Sequence, residues 1–209
     1  MPHRHVLGSQ SPRRRELLCA LVGEDCVDVV PPLDSDEPGF EGLHEWSTIT
    51  RRLQEIAQMK FTDVNQQVAD RSDRPVIITA DTIIVAIDAE DQCVVLGKPP
   101  TNDWQQEVRR WFHEYLIGGT HYAATAVCVG RFHEPILEAV VKTEITFRTG
   151  VESLVDWYID TKEPCGKAGG YAIQGAGSIF VAKIDGSLSN VVGLPLEATG
   201  ELIQQLVGD

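Results

Sequence analysis

Four short segments of the chain carry side chains whose types and spacing could do chemistry. The first is Leu7-Gly-Ser-Gln-Ser-Pro-Arg-Arg-Arg-Glu-Leu-Leu18. A loop of small residues entering a helix N-terminus offers free backbone N–H groups and the positive end of the helix dipole. Ser9 and Ser11 add hydroxyls, and Arg13, Arg14 and Arg15 crowd the first turn with guanidiniums. Cations there oppose helix stability but suit a bound anion such as phosphate; the other reading is a solvated basic turn. The second segment is Asp81-Thr82, set inside the apolar run from Pro75 to Ile87. A carboxylate in such a run is costly unless paired or metal-bound, so Asp81 points to a function or to a tight hydrogen bond. The third, Gly97-Lys98-Pro99, puts a lysine after a β-like run, which alone does not distinguish it from a solvated surface lysine. The fourth runs from Glu163 to Gly177 and holds five glycines in the twelve residues from Gly166. That density demands close backbone approach or positive φ. It lacks the G-x-x-x-x-G-K-[ST] pattern of a P-loop, and Gly175-Ala-Gly177 is only a fragment of a dinucleotide fingerprint. Gln174 within it carries both donors and an acceptor and could read a base edge; the alternative is a plain glycine-rich turn.

The elements that must position these groups alternate between strand and helix. Val6-Leu7 is a short apolar start, and Ser11-Pro12 reads as an N-cap with proline in the first helical position of a helix reaching about Ala20. Cys26 to Val30 reads as a strand, and Pro31 to Gly42 as a loop rich in proline and acid. Ile49, Leu53, Ile56 and Ala57 mark one helical face. Pro75 to Ile87 is too β-branched for a helix. Trp104 to Leu116 reads as helical, ended by Gly118-Gly119; Ala123 to Arg131 and Val140 to Arg148 read as paired strands. A short helix over Val151 to Asp160, a strand over Ile179 to Ile184 and a C-terminal helix over Pro195 to Val207 follow. Strands alternating with helices imply an α/β fold.

The 209 residues have ordinary globular composition and a net charge of −13. Such acidity repels polyanions at long range and argues against general nucleic-acid binding, while a local basic cluster or a divalent cation can reverse the potential in one cleft. No apolar run approaches the roughly 20 residues of a membrane span, and the N-terminus does not read as a secretory signal. Five scattered cysteines without a Cys-x-x-Cys suggest reduced thiols and a cytoplasmic protein. His3 and His5 read as part of a mobile terminus and His121 as a structural histidine. Asp34, Asp36 and Glu37 read as a solvated acidic loop of which one member could meet Mg²⁺ together with phosphate oxygens.

In their order and spacing, these segments resemble the Maf family of septum-formation-inhibitor-like nucleotide pyrophosphatases. The likeness covers nearly the whole chain. It rests on Gly8-Ser-Gln-Ser-Pro-Arg-Arg14 with Glu16-Leu-Leu, Asp36-Glu37, Ile56-Ala-Gln-Met-Lys60, Ala80-Asp-Thr82, Gly97-Lys-Pro99, Gly119-Thr-His121, Thr125-Ala-Val127 and Thr146-Phe147. It closes with Gly166-Lys-Ala-Gly169, Tyr171-Ala-Ile-Gln-Gly175 and Asn190-Val-Val-Gly-Leu-Pro-Leu196. The resemblance implies one domain over 1–209, a mixed twisted sheet bent around a deep cleft between two lobes with flanking helices, similar to inosine-triphosphate pyrophosphatases. It implies hydrolysis of a nucleoside triphosphate to a monophosphate and pyrophosphate with a divalent cation, Mg²⁺, Mn²⁺ or Co²⁺. The Lys-Ala-Gly-x-Tyr-x-Ile-Gln-Gly pattern is similar to that of the subgroup acting on dTTP and UTP; modified pyrimidine nucleotides fall in the same class.

By the same resemblance Asp81 is the proton acceptor, and Arg13, Thr82 and Gln174 set substrate specificity. Ser9, Arg14, Lys60 and Lys98 hold phosphates, and Glu37 helps place the metal. On chemistry alone Asp81 could either activate water or bind the metal, and both roles stay open. The alternatives are the sister activity on 7-methyl-GTP and a non-catalytic nucleotide-binding regulator of cell division; a homodimer is compatible with either. Trp104, Trp111, Phe112 and Ala123 depart from the family's usual residues, which bears on packing and oligomer contacts more than on the reaction.

Overall fold

Strand formation begins at once. His5–Leu7 form β1, buried along its whole length, in a computed structural model that describes residues 3–33 and 37–208. Helix α1 (Pro12–Val22) starts at Ser11, whose side chain accepts from the Arg14 N–H, and stops at Gly23, which takes a φ of 92°. A 3₁₀ turn leads into β2 (Val27–Val29). Helix α2 (Trp46–Gln67) buries Ile49, Leu53, Ile56, Ala57, Phe61 and Val64 along one stripe, the i, i+4, i+7 spacing of an amphipathic helix. The β-branched run becomes the longest strand, β3 (Val76–Ile87), followed by the short β4 (Cys93–Leu96). Helix α3 (Trp104–Trp111) passes into a π-helical turn over Phe112–Leu116. Strands β5 (Thr120–Gly130) and β6 (Leu137–Phe147), helix α4 (Val155–Asp160), strand β7 (Val181–Asp185), and helices α5 (Leu188–Val192) and α6 (Leu196–Val207) complete the chain.

The strands form one mixed sheet in the order β2-β1-β3-β5-β6-β7, with β4 also on β3. β1 runs parallel to both β2 and β3. Parallel neighbours need crossovers, and α1 and α2 supply them: the chain goes from β1 to β2 through α1 and back across β1 to β3 through α2. The remaining pairings are antiparallel. The mixed sheet with flanking helices is the α/β architecture expected from the sequence.

Because side chains alternate along a strand, β3 separates its packing by parity. Ile77, Ile83 and Val85 face α2 together with Ala124, Ala126 and Cys128 of β5. The even-numbered positions face the other way and serve two different clusters. Val76, Ile78 and Ala80 pack with Leu18 of α1 and Ile203 of α6. Ile84 and Ala86 pack with Trp111, Phe112, Phe147, Tyr158 and Phe180. Thr82 lies between the two clusters, and in β3 Asp81 and Thr82 are the two half-buried positions amid buried neighbours.

Several expectations change in detail. His5 belongs to no mobile terminus: it is 5% exposed inside β1, between β2 and β3, because a strand with partners on both edges has no freedom to fray. The Trp104–Leu116 helix is α-helical only to Trp111. Its last turn widens, with Ile117 N donating to Phe112 O at 2.9 Å, and this leaves Phe112 and Leu116 fully buried. Phe112 packs its ring against Phe147, Tyr158 and Phe180 at 4.9–5.9 Å, so this unusual aromatic set forms internal packing. Ile179 and Phe180 close a 3₁₀ turn, and the strand begins only at Val181. Asp34 and Asp36 lie outside the described residues.

Candidate active site

The cleft originates in a break along one edge of β3. β1 pairs with residues 76–78 of that edge and β4 with residues 84–87, which leaves 79–83 without a strand partner there, while β5 pairs with residues 77–85 along the opposite edge. At such a break consecutive side chains pointing to opposite faces of the sheet can reach one cavity. Asp81 and Thr82 both do so, in a cavity of about 590 Å³.

Asp81 points to the α2 side. Thr79 Oγ1 donates to Ala57 O at 2.9 Å and fixes α2 against β3. One helical turn further on, Lys60 Nζ donates to Asp81 Oδ1 at 2.5 Å and pairs with Glu37 Oε1 at 2.9 Å. The Lys60 and Asp81 side chains are 13% and 15% exposed and that of Glu37 44%, so the first pair is sheltered and the second is open to the cleft. The expected solvated carboxylate of Glu37 is therefore exposed, yet tied to the site.

Thr82 points to the other side and meets Arg14 of α1, just beyond the loop that follows β1. Gly8 N donates to Ile78 O at 2.8 Å, and a Cβ on Gly8 would come within 2.6 Å of Thr79 Cγ2, so only glycine lets the loop lie this close to β3. Ser9 Oγ accepts from Ser11 N at 3.2 Å. Arg14 then spreads its guanidinium over three neutral acceptors: Gly193 O at 2.8 Å, Ser9 Oγ at 3.3 Å and Thr82 Oγ1 at 3.0 Å. Burial pulls its pKa below the ordinary value and the charges of Asp81 and Glu37 oppose that, so Arg14 remains a cation. The Gly193 carbonyl is itself held in place because Asn190 anchors α5. Its Nδ2 donates to Ala123 O, Val141 O and Thr143 Oγ1 at 3.0–3.2 Å.

The glycine-rich segment forms the facing wall. Gly169, at φ 68°, donates to Gly97 O at 3.1 Å and lies against Ile84, where a Cβ would come within 2.8 Å of Cγ1. This joins the turn that carries Lys98 to the segment that carries Gln174. Tyr171 Oη lies 2.8 Å from His121 Nε2 behind the wall. Burial drives the His121 pKa to about 3, so the imidazole is neutral and structural, as its position at a strand start suggested. Gln174 is exposed at the cleft, and the side chains of Gln174, Arg13 and Lys98 make no hydrogen bond or ion pair among the described residues.

All nine site residues read from the sequence line this single cavity, although they come from six separate stretches of the chain. Three contributors were not singled out: Lys167, which lines the cavity and donates to Glu163 O, the Gly193 carbonyl, and Asn190 beneath it. Lys167 stands inside a quoted motif, but nothing in its local sequence shows that it faces Arg13. Burial and then the charge of Arg13 hold its pKa below the ordinary lysine value. Among the described residues, the cavity carries five cations, Arg13, Arg14, Lys60, Lys98 and Lys167, against the two carboxylates of Glu37 and Asp81. A chain of net charge −13 thus concentrates positive charge in one place. Chemically, the arrangement can hold a polyanion beside a carboxylate that still has one oxygen, Asp81 Oδ2, unengaged by the described residues.

The "dTTP/UTP pyrophosphatase" of Anaeromyxobacter dehalogenans (strain 2CP-1 / ATCC BAA-258) is 39% identical over 208 residues, covering 98% of this chain and 95% of that protein. The protein of that name from Myxococcus xanthus (strain DK1622) is 39% identical over 200 residues, covering 96% and 91%. Its namesake from Pyrococcus abyssi (strain GE5 / Orsay) is 36% identical over 200 residues, covering 95% and 94%. A solved nucleoside-triphosphatase / dITP/XTP pyrophosphatase from Mycobacterium abscessus overlaps loosely, with a TM-score of 0.36 at 11% identity over 69% of this chain and 74% of that one. The model of the family described as "Maf-like protein" matches residues 4–206. The nine clustered side chains fall within that match, and the chain belongs to the Maf-like protein family.

Proposed function

We propose that this protein hydrolyses dTTP and UTP to the nucleoside monophosphate and pyrophosphate in the cleft at the broken edge of β3. The observation that carries this reading is the convergence of five cations and two carboxylates on one cavity beside an exposed glutamine. The full-length relatives named for dTTP and UTP support the choice of base.

Phosphoanhydride hydrolysis asks for charge stabilisation and a placed water more than for covalent chemistry. The triphosphate lies along Arg13, Lys98 and Lys167, which hold no protein acid among the described residues, and reaches Ser9 and the N-terminal end of α1. Arg14 keeps its charge available because its three partners are neutral. Asp81 takes a proton from the attacking water. The water oxygen bonds to the α-phosphorus, the bond from that phosphorus to the bridging oxygen breaks, and pyrophosphate leaves. Lys60 holds the Asp81 carboxylate in place from its Oδ1 side and leaves Oδ2 to meet the water. Gln174 reads the base: uracil and thymine present carbonyl acceptors flanking an N3–H, and an amide can pair with one of each.

The donor set fits a divalent cation. Glu37 and Asp81 both reach Lys60 Nζ, so their carboxylates converge where one cation already sits, and Mg²⁺ or Mn²⁺ is commonly held by one or two carboxylates plus substrate phosphates. When bound, the cation would neutralise phosphate charge. We place the protein in the cytoplasm. Its five free thiols fit a reducing compartment, and no helix of the described residues is long and apolar enough to cross a membrane.

The test is a nucleotide panel with Mg²⁺, Mn²⁺ and Co²⁺, read as pyrophosphate through a coupled inorganic pyrophosphatase. UTP and dTTP should turn over fastest. Direct release of orthophosphate with a diphosphate would overturn the site of cleavage, a preference for 7-methyl-GTP would overturn the base, and binding without turnover would make this a nucleotide-binding regulator.

A further inference from the structure

Gln174 makes no side-chain hydrogen bond among the described residues, so its backbone sets the point from which its amide reaches into the cleft. That backbone is held from both sides by two residues outside the cavity lining. The carboxylate of Glu163, just beyond α4, accepts from the Gly177 N–H through Oε1 and from the Ala176 N–H through Oε2, each at 2.9 Å. Its Oε1 also accepts from Tyr158 Oη at 2.9 Å. Tyr158 Oη in turn accepts from the Ala172 N–H at 3.2 Å. Gln174 therefore sits midway between an anchor at Ala172 and a double anchor at Ala176 and Gly177.

The clamp rests on firm ground. The Tyr158 ring is fully buried and packs on Phe112 and Phe180, so its hydroxyl cannot wander. A Cβ at position 175 would lie 2.0 Å from Glu163 Oε2, so the glycine after Gln174 is what lets the carboxylate come so close. Burial pushes the Glu163 pKa up, but the two backbone N–H groups and the Tyr158 hydroxyl outweigh it and hold the carboxylate below its usual range. Three donors occupy its oxygens, and it does not line the cavity, so it is not placed to act on water or metal. Its backbone carbonyl accepts from Lys167 Nζ, which ties a cleft cation to the same residue.

We propose that Glu163, braced by Tyr158, is a positioning residue for base selection: it clamps residues 172–177 from outside the cleft and so sets the place at which Gln174 meets the pyrimidine. This rests on the reading of the cleft as a pyrimidine nucleotide pyrophosphatase. In the mutant series, Glu163→Gln keeps the shape but gives an amide, with one acceptor oxygen, to three donors. Tyr158→Phe removes only the hydroxyl.

The experiment measures kcat and KM for UTP and CTP in wild type, Gln174→Ala, Glu163→Gln, Tyr158→Phe and Glu163→Gln/Gln174→Ala. Melting curves and amide hydrogen exchange over 172–177 accompany the kinetics. Glu163→Gln should raise the UTP KM by roughly tenfold with little loss of kcat, the scale of one buried group left unpaired. It should lower the UTP/CTP ratio of kcat/KM as Gln174→Ala does, and adding it to Gln174→Ala should lower that ratio no further. Exchange over 172–177 should quicken in both clamp variants.

A Glu163→Gln variant that melts lower but keeps the wild-type ratio, while Gln174→Ala loses it, would overturn the positioning role and leave the function standing. Unchanged exchange at Ala176 and Gly177 in the clamp variants would overturn it on its own, with or without turnover. A wild type that releases no pyrophosphate would overturn the function instead. A Gln174→Ala ratio equal to wild type would remove both the base reading and the role of Glu163 in it.

Discussion

Asp81 and Thr82 are neighbours on one strand, yet the two sides of β3 that they face are built on different electrostatic principles. On the Asp81 side a lysine meets two carboxylates, so opposite charges compensate one another before any nucleotide arrives. On the Thr82 side a guanidinium meets a carbonyl and two hydroxyls, so the charge is held in position without being neutralised. An incoming polyanion or cation must rearrange the first cluster, whereas the second is already ordered with its charge to spare. The contrast suggests a division of labour, with reactivity on one side of the strand and pre-organised anion recognition on the other.

The largest effect should come from the compensated side. Asp81→Asn keeps the shape and removes charge and basicity, and kcat should fall by at least ~10²-fold, the range for a positioned acid–base group. The melting curve should barely move. Near-normal kcat would make Asp81 a structural residue and dissolve the comparison.

Next comes Arg14→Lys, which retains the charge but cannot span three acceptors in one plane. Here kcat/KM for UTP should drop on the order of tenfold to hundredfold. The melting temperature should also fall by roughly 2–4 °C, the scale of about 1 kcal/mol in a chain of this size. A variant impaired in activity alone would mean that the Arg14 brace contributes nothing to the fold. A smaller change is expected from Thr82→Val, which is nearly isosteric and removes one acceptor from Arg14 and one partner from Thr125. About fivefold in kcat/KM, or near 1 kcal/mol, is the expected size in a steady-state assay. A loss as large as that of Arg14→Lys would show that Thr82 touches substrate directly.

The smallest effect on catalysis should come from behind the wall, where His121 meets Tyr171. The folded His121 pKa of about 3 lies below the ordinary 6.5, so as pH falls the unfolded chain takes up the proton first. The stability this group contributes is complete above about pH 6.5 and is lost as pH falls toward 3. Denaturant titrations from pH 7 to 5 should show it as a slope of at most about 1.4 kcal/mol per pH unit. His121→Gln should flatten that slope and leave the UTP/CTP ratio unchanged. A changed ratio would mean that His121 helps to hold the Gln174 wall.

Some of this was legible in local pattern. Ser11-Pro12 marks the start of α1 because capping and a fixed proline φ are properties of two adjacent residues. The α2 stripe and the β-branched run of β3 are periodicities, which need no distant partner to be recognised. Other features were not. β4 and α5 are four and five residues long, too short for a periodic signal. The π-helical turn at Phe112 depends on what Phe112 and Leu116 pack against.

The site divides along the same line. The residue types were determined by the sequence itself: a carboxylate in an apolar run, arginines at a helix start, an amide among glycines. Residue chemistry is local, and a polar group in an apolar context stands out wherever the chain goes. Only the tertiary structure decided what each group could do. It set β1 and β4 on the same edge of β3 with a gap between them, so that Asp81 and Thr82 open onto one cavity from opposite faces. Local pattern could not show that Arg14 is braced by Gly193 at a separation of 179 residues while the Arg13 side chain has no hydrogen bond or ion pair among the described residues. It could not show that Glu163 reaches back to hold the segment of Gln174. Those outcomes depend on contacts between residues far apart in the chain, and such contacts exist only once the sheet has closed around its cores.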